Sequence, residues 1–203
     1  MASVDLFAPL TLASGATLPN RIAKAAMEEN LAGDGQAPDA RLIALYRRWS
    51  KGGTGLLITG NVMVDGRALT GPGGVVLEET TDLAPFREWA KAAQSGGAKV
   101  WMQINHPGRQ VQVDQGGNGW SASDVQLDLG PHSKLFVKPK AMNAAEIAET
   151  IGRFAATARQ ADLAGFDGVQ IHAAHGYLVS QFLSPLANHR LDDLDQQPGA
   201  VLD

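Results

Sequence analysis

The chain has 203 residues, 44% of them hydrophobic, and a net charge of −4. That is enough for one globular domain with a real core, and the mild acidity leaves no basic footprint for nucleic acid. There is no cysteine, so disulfides are excluded and a reducing compartment is expected. No basic-then-apolar leader opens the sequence and no apolar run approaches the ~18 residues of a membrane helix. A cytoplasmic protein without membrane or nucleic-acid partners is the expectation.

Strand-like and helix-like segments alternate along the chain. Residues 21–25 form a short strand candidate after Leu18-Pro19-Asn20. Ala40–Lys51 reads as a helix with Leu42, Ile43, Leu45, Tyr46 and Trp49 in one stripe; Pro38 stands near its start and Gly52-Gly53 at its end. Residues 55–59 are an apolar run of the kind buried in parallel sheets. A second helix is expected over 83–95, facing inward with Leu83, Phe86, Ala90 and Ala93, and a third strand over 99–104. A connection from 105 to 142 follows, rich in Gly and polar residues, and loops this long are functional or disordered. Asn143 then opens a third helix with Glu146 in the capping-box position; Ile147, Ile151, Phe154, Ala155 and Ala158 are expected on its inner face. Gly168–Ile171 is the fourth strand.

Such alternation means a parallel sheet covered by helices. No Gly-x-Gly-x-x-Gly stands at the first strand–helix junction, which argues against a dinucleotide-binding unit. Polar residues gather after each strand instead: Met27-Glu28, Thr59-Gly60-Asn61, Gln103 with Asn105-His106, and His172 with His175. In a (β/α)8 barrel these ends form the active face. Four β/α units fill the chain, whereas a whole barrel takes ~250 residues. The expected fold is therefore α/β, a half-barrel of the TIM type.

The richest stretch is Val169-Gln170-Ile171-His172-Ala173-Ala174-His175-Gly176-Tyr177. His-x-x-His occurs in zinc pairs and as ordinary hydrogen-bonded histidines. Zinc wants a third ligand, and only His106, His132, His189 and scattered carboxylates remain to supply one. The run continues through Gln181-Phe182-Leu183-Ser184-Pro185 to Asn188-His189-Arg190. Together these stretches resemble the old yellow enzyme family, the FMN-dependent ene-reductases and NADH:flavin oxidoreductases. The resemblance runs from about residue 5 to residue 190. Leu6-Phe7-Ala8-Pro9-Leu10 with Leu18-Pro19-Asn20-Arg21-Ile22 is similar to the family's N-terminal β-hairpin. Met102-Gln103-Ile104-Asn105-His106-Pro107-Gly108-Arg109 is similar to its third-strand motif.

The resemblance implies FMN as cofactor and NADH or NADPH as reductant. The substrate it implies is a small α,β-unsaturated carbonyl or similar activated alkene, and no metal is expected. Ala25, Ala26, Met27 and Glu28 would lie against the flavin, although family members commonly carry Pro where Ala26 stands and some carry Cys where Glu28 stands. Some relatives have a substrate-side Tyr at the position of Asn30. Gly60 would allow close approach to the ring, and Gln103 would meet its pyrimidine edge. His172 and His175 would grip the substrate carbonyl oxygen as charge develops on it, with His172 also reaching the flavin. Tyr177 would donate the proton to the α-carbon. His106 and Arg109 would organise the long third loop.

Similarity ends at Leu191, so 1–190 reads as the N-terminal half of an FMN-binding barrel and 191–203 as a divergent tail. Open sheet edges make a homo-oligomer the expectation. Two other readings stay open, a fragment that acts only by association and a zinc-dependent barrel hydrolase.

Overall fold

The computed structural model describes residues 5–192. An antiparallel hairpin of β1 (Leu10–Thr11) and β2 (Thr17–Leu18) precedes everything else. β3 (Ala23–Lys24) leads by a long loop to α1 (Ala40–Lys51), whose Asp39 cap accepts the Arg41 and Leu42 N–H groups. Next come β4 (Leu56–Ile58), β5 (Val62–Met63) and β6 (Val75–Val76), then α2 (Ala84–Gln94) and the long β7 (Lys99–Asn105). The third loop holds β8 (Trp120–Ser121) and β9 (Lys140–Ala141), which pair with each other. α3 (Ala144–Leu163), β10 (Gly168–Ile171) and the short α4 (Leu178–Leu183) complete the described chain.

β3, β4, β7 and β10 lie side by side and all pair parallel, the first four strands of a curled half-barrel. β5 pairs with β7 beyond β4, so β4 and β5 are one barrel strand broken at Thr59, Gly60 and Asn61. The break is stitched to β7: the Thr59 N–H reaches Trp101 O at 3.0 Å, and Thr59 Oγ1 accepts the Gln103 N–H at 3.0 Å.

Register decides which side chains face which way. Lys24, Leu57 and Val100 are paired neighbours, as are Ile58, Trp101 and Gly168, and Gln103 with Gln170. Side chains alternate along a strand, so Leu57, Val100, Met102 and Ile104 face the helices. There they form the main core with Leu42, Ile43 and Tyr46 of α1, Phe86, Trp89 and Ala93 of α2, and Ala161 of α3. The Trp89 ring meets Tyr46 and Phe166 edge-on at 5.1 and 5.5 Å. Gln103, Gln170 and Trp101 line the concave face. Gly168 packs closely there: a Cβ would stand 3.0 Å from the Trp101 indole, which would have to shift to admit it.

The three helices and four strands stand where the sequence put them, and the Asn143–Glu146 capping box is complete in both directions. The face of α3 differs. Ile151 is 65% exposed and Ala155 is exposed, while Thr150, Thr157 and Ala161 are buried. Thr157 spends its hydroxyl on Leu77 O at 2.7 Å, which removes the polarity objection to burying it and turns the helix away from a purely apolar stripe. The third loop is ordered in short 3-10 turns and strands. Of the tail expected over 191–203, only Leu191 and Asp192 lie among the described residues.

Candidate active site

The carboxyl ends of the parallel strands bring the sequence-derived residues to one side of the sheet. β10 ends at Ile171, and the His172 N–H continues its ladder to Ile104 O at 3.0 Å. A tight turn follows in which His175 has φ +57° and Gly176 φ +70°. The strained turn is held by Gln110, which donates to His175 O at 2.7 Å, and by Gln181, which donates to Gly176 O at 2.7 Å. It folds His175 and Tyr177 back over His172. The His172 ring lies 5.1 Å from that of His175 and 4.9 Å from that of Tyr177, both edge-on.

His172 is buried, and its Nδ1 accepts the Ala174 N–H at 3.2 Å. Its Nε2 lies 3.3 Å from His175 Nδ1. Burial, and then the neighbouring His175, hold His172 below its ordinary pKa, so it is the neutral imidazole near pH 7. Burial pushes the Tyr177 phenol upward, and the Glu28 carboxylate pushes it further. Glu28 is exposed and accepts the Thr70 hydroxyl. The segment after β3 thus faces the same mouth as the His–Tyr cluster. Ala25 and Met27 are exposed and Ala26 is half-buried.

Gly60 joins that segment to the second strand. A side chain there would overlap Met27 O and the Glu29 carboxylate, so only Gly permits the packing. Gln103 faces the concave side, where its Nε2 donates to Gln170 Oε1 at 2.8 Å. Gln170 had no signal in the sequence beyond its register opposite Gln103. His106 and Arg109 act in the loop: the buried His106 Nδ1 takes the Gly108 N–H at 3.0 Å, and Arg109 donates to Val125 O at 2.9 Å.

A feature missed in the sequence sits behind Gly60. Lys24 Nζ donates to Glu29 Oε1 at 3.1 Å and to Ile58 O at 2.9 Å, and lies 4.6 Å from the Trp49 ring centroid. Tyr46 Oη donates to the same Glu29 oxygen at 2.5 Å and accepts the Gly60 N–H at 3.2 Å. Lys24 looks like an ordinary strand residue until its register with Leu57 turns it toward α1.

The arrangement suits a flat aromatic cofactor ring, with an amide on the concave face at Gln103 and an imidazole pair beside a phenol. Among the described residues no group of three His, Asp or Glu side chains could hold a metal ion, and none of the helices is long and apolar enough to cross a membrane.

A sequence model of the NADH:flavin oxidoreductase / NADH oxidase family matches residues 5–195. The chain belongs to that family. It is 38% identical over 208 positions to the NADH-dependent flavin oxidoreductase iliE of Hypocrea jecorina (strain QM6a), covering 95% of this chain and 52% of that protein. It is 39% identical over 178 positions to the NADH oxidase of Thermoanaerobacter brockii, covering 85% of this chain and 26% of that one. Among solved structures, the old yellow enzyme homologue from Zymomonas mobilis superposes with a TM-score of 0.82 at 27% identity, over 94% of this chain and 54% of that one. Morphinone reductase in complex with tetrahydroNAD shares the fold, with a TM-score of 0.84. This family member spans about half the length of the iliE protein.

Proposed function

We propose that the chain carries the ring-facing and substrate-facing half of an FMN-dependent NAD(P)H:flavin oxidoreductase that reduces activated alkenes. One observation carries the reading: His172, His175 and Tyr177 converge at the same strand ends that present Gly60 and Gln103. In this reading Ala25, Ala26, Met27, Glu28 and Gly60 form the wall against the ring, and the Gln103 amide meets its pyrimidine edge. FMN, when bound, would supply the hydride. NADH or NADPH would be the reductant, and the NADH-dependent names of the relatives favour the first.

The chain's own part is to hold and protonate. A carbonyl oxygen seated between His172 and His175 would take imidazole N–H donors as negative charge develops on it. The Tyr177 phenol, held near that oxygen's α-carbon, would give up the proton. A phenol whose pKa lies above its ordinary value stays protonated at neutral pH and so remains a donor. The turn at His175–Gly176 fixes all three rings before substrate arrives, which is where such donors gain their effect. No basic side chain at this mouth is available for a phosphate among these residues, so the ring fits better than the rest of FMN. Residues 1–190 are proposed as the functional unit, acting on small molecules in the cytoplasm.

The test is reconstitution. FMN uptake and NADH-driven reduction of an enone would be followed for the chain alone and with a polypeptide supplying the second half of an iliE-type relative. Flavin uptake and turnover in the paired sample support the reading; neither in either sample overturns it. A second reading, association with another chain as the principal role, is favoured by Val169 and Ile171. They stand 36% and 56% exposed on the outer face of the last strand.

A further inference from the structure

The Lys24–Glu29–Tyr46 cluster is used by none of the steps above. Both members of the ion pair are close to nine-tenths buried as side chains, and burying two charges costs more than their attraction returns unless hydrogen bonds complete the site. Here they are completed. Glu29 Oε1 receives Lys24 Nζ, Tyr46 Oη and, at 3.3 Å, the Gly60 N–H. Lys24 adds Ile58 O and the faces of Tyr46 and Trp49. The other Glu29 oxygen lies against Gly60 Cα on the side where a Cβ would stand. The partners come from three elements: Lys24 from β3, Tyr46 and Trp49 from α1, and Ile58 and Gly60 from β4 and the turn after it. One carboxylate therefore ties the chain leaving the first barrel strand to the break in the second.

Glu29 lines a cavity of about 10 Å³ together with Asn61 and Trp89. Trp89 Nε1 and Asn61 Oδ1 are buried there without a protein partner. One is a donor and the other an acceptor, and the space is about that of one water.

We propose that Glu29 is a positioning residue that, through Lys24, Tyr46 and the Gly60 N–H, clamps Met27–Glu28 onto Gly60 and so sets the wall against which the flavin ring lies. The cofactor half of this statement rests on the function proposed above; the clamp does not. Burial lowers the Lys24 pKa while Glu29 raises it, and Tyr46 is driven well above its ordinary value by burial and by Glu29. Both directions agree with one shared, enclosed carboxylate.

The experiment is amide hydrogen exchange at Gly60 in the isotope-labelled full chain, with FMN titration and thermal unfolding on the same samples. Glu29→Ala is expected to speed Gly60 exchange about fivefold, the factor for one hydrogen bond of ordinary net worth, because Tyr46 Oη, the other acceptor of that N–H, loses its anchor together with the carboxylate, and to weaken FMN binding alongside it. Glu29→Gln keeps an acceptor oxygen but strands Lys24, so Lys24→Met combined with Glu29→Gln should unfold at a higher temperature than Glu29→Gln alone. Unchanged Gly60 exchange in Glu29→Ala overturns the clamp. Faster exchange with wild-type FMN affinity overturns the cofactor half. A wild-type chain that takes up no FMN even when paired with the second half of an iliE-type relative refutes that half through the functional reading, while exchange still decides the clamp. Should Glu29→Ala fail to fold, a double variant no more stable than Glu29→Gln overturns the proposal.

Discussion

His172 and His175 share one hydrogen bond, Nε2 to Nδ1 at 3.3 Å. Because His172 Nδ1 already accepts the Ala174 N–H, the neutral ring carries its proton on Nε2 and donates it to His175. That assignment, made from partner geometry, leaves His175 Nε2–H as the outward donor. In the proposed reaction a substrate oxygen entering the pair would compete for the His172 proton and find the second donor already set.

His172→Ala should therefore cost more than His175→Ala. The first removes a donor and also releases the tautomer of the second; the other removes one donor only. Losses of ~2.7–4 kcal/mol in transition-state stabilisation are typical for such donors. Steady-state enone reduction by the reconstituted protein measures both, and wild-type rates in both variants would sink the oxyanion role.

Tyr177→Phe should slow alkene reduction and spare flavin reduction by NADH, since only the first step needs a phenol proton. Rapid-mixing traces with equal loss in both half-reactions would make Tyr177 structural. Glu28→Gln offers a separate check. Burial is the larger cause of the raised Tyr177 pKa and Glu28 the smaller, so this variant should lower the phenol pKa without returning it to 10. The chain has two tyrosines, Tyr46 titrating the higher, so tyrosinate absorbance resolves the change.

His106 should make the fold acid-labile. It is 1% exposed, and burial holds its pKa at about 4 against an ordinary 6.5. The unfolded chain takes up the proton first, so stability is full above pH 6.5 and falls as pH drops toward 4. The depression corresponds to about 3 kcal/mol. Denaturant midpoints across that range should flatten in His106→Gln; an unchanged slope would assign the loss to other groups.

Local signals explain what the sequence made legible. Asn143 and Glu146 spell a capping box whatever the fold, and the stripe of α1 is strong enough to fix Ala40–Lys51. The His172–Tyr177 cluster lies in one short stretch, so its residues could be named without knowing the fold. Gln170 and Thr70 stayed hidden because each acts through a partner far along the chain, and the Lys24–Glu29–Tyr46 cluster because only the fold brings α1 onto the chain leaving β3. Ile151 and Ala155 misled for a related reason: the period of a helix gives an apolar face, and only packing decides whether that face is covered. Thr157 shows the converse, a polar residue buried by one long-range acceptor.

The 203-residue polypeptide should self-associate and bind FMN weakly by itself. Among the described residues β3 pairs only with β4, and β10 only with β7, so each presents a backbone edge that another parallel strand can take. Next to the β10 edge, Val169 and Ile171 are exposed on the face opposite Gln103 and Gln170, and Ile151 and Leu163 of α3 are 65% and 52% exposed. Apolar surface next to an open edge rewards association twice, through burial and through the ladder. Ile171→Asp should weaken the assembly without touching the concave face where Gln103 and His172 stand. Sedimentation velocity at several concentrations, read together with flavin absorbance, checks both parts. A yellow monomer would contradict them, and an Ile171→Asp variant that assembles as tightly as wild type would move the interface away from β10.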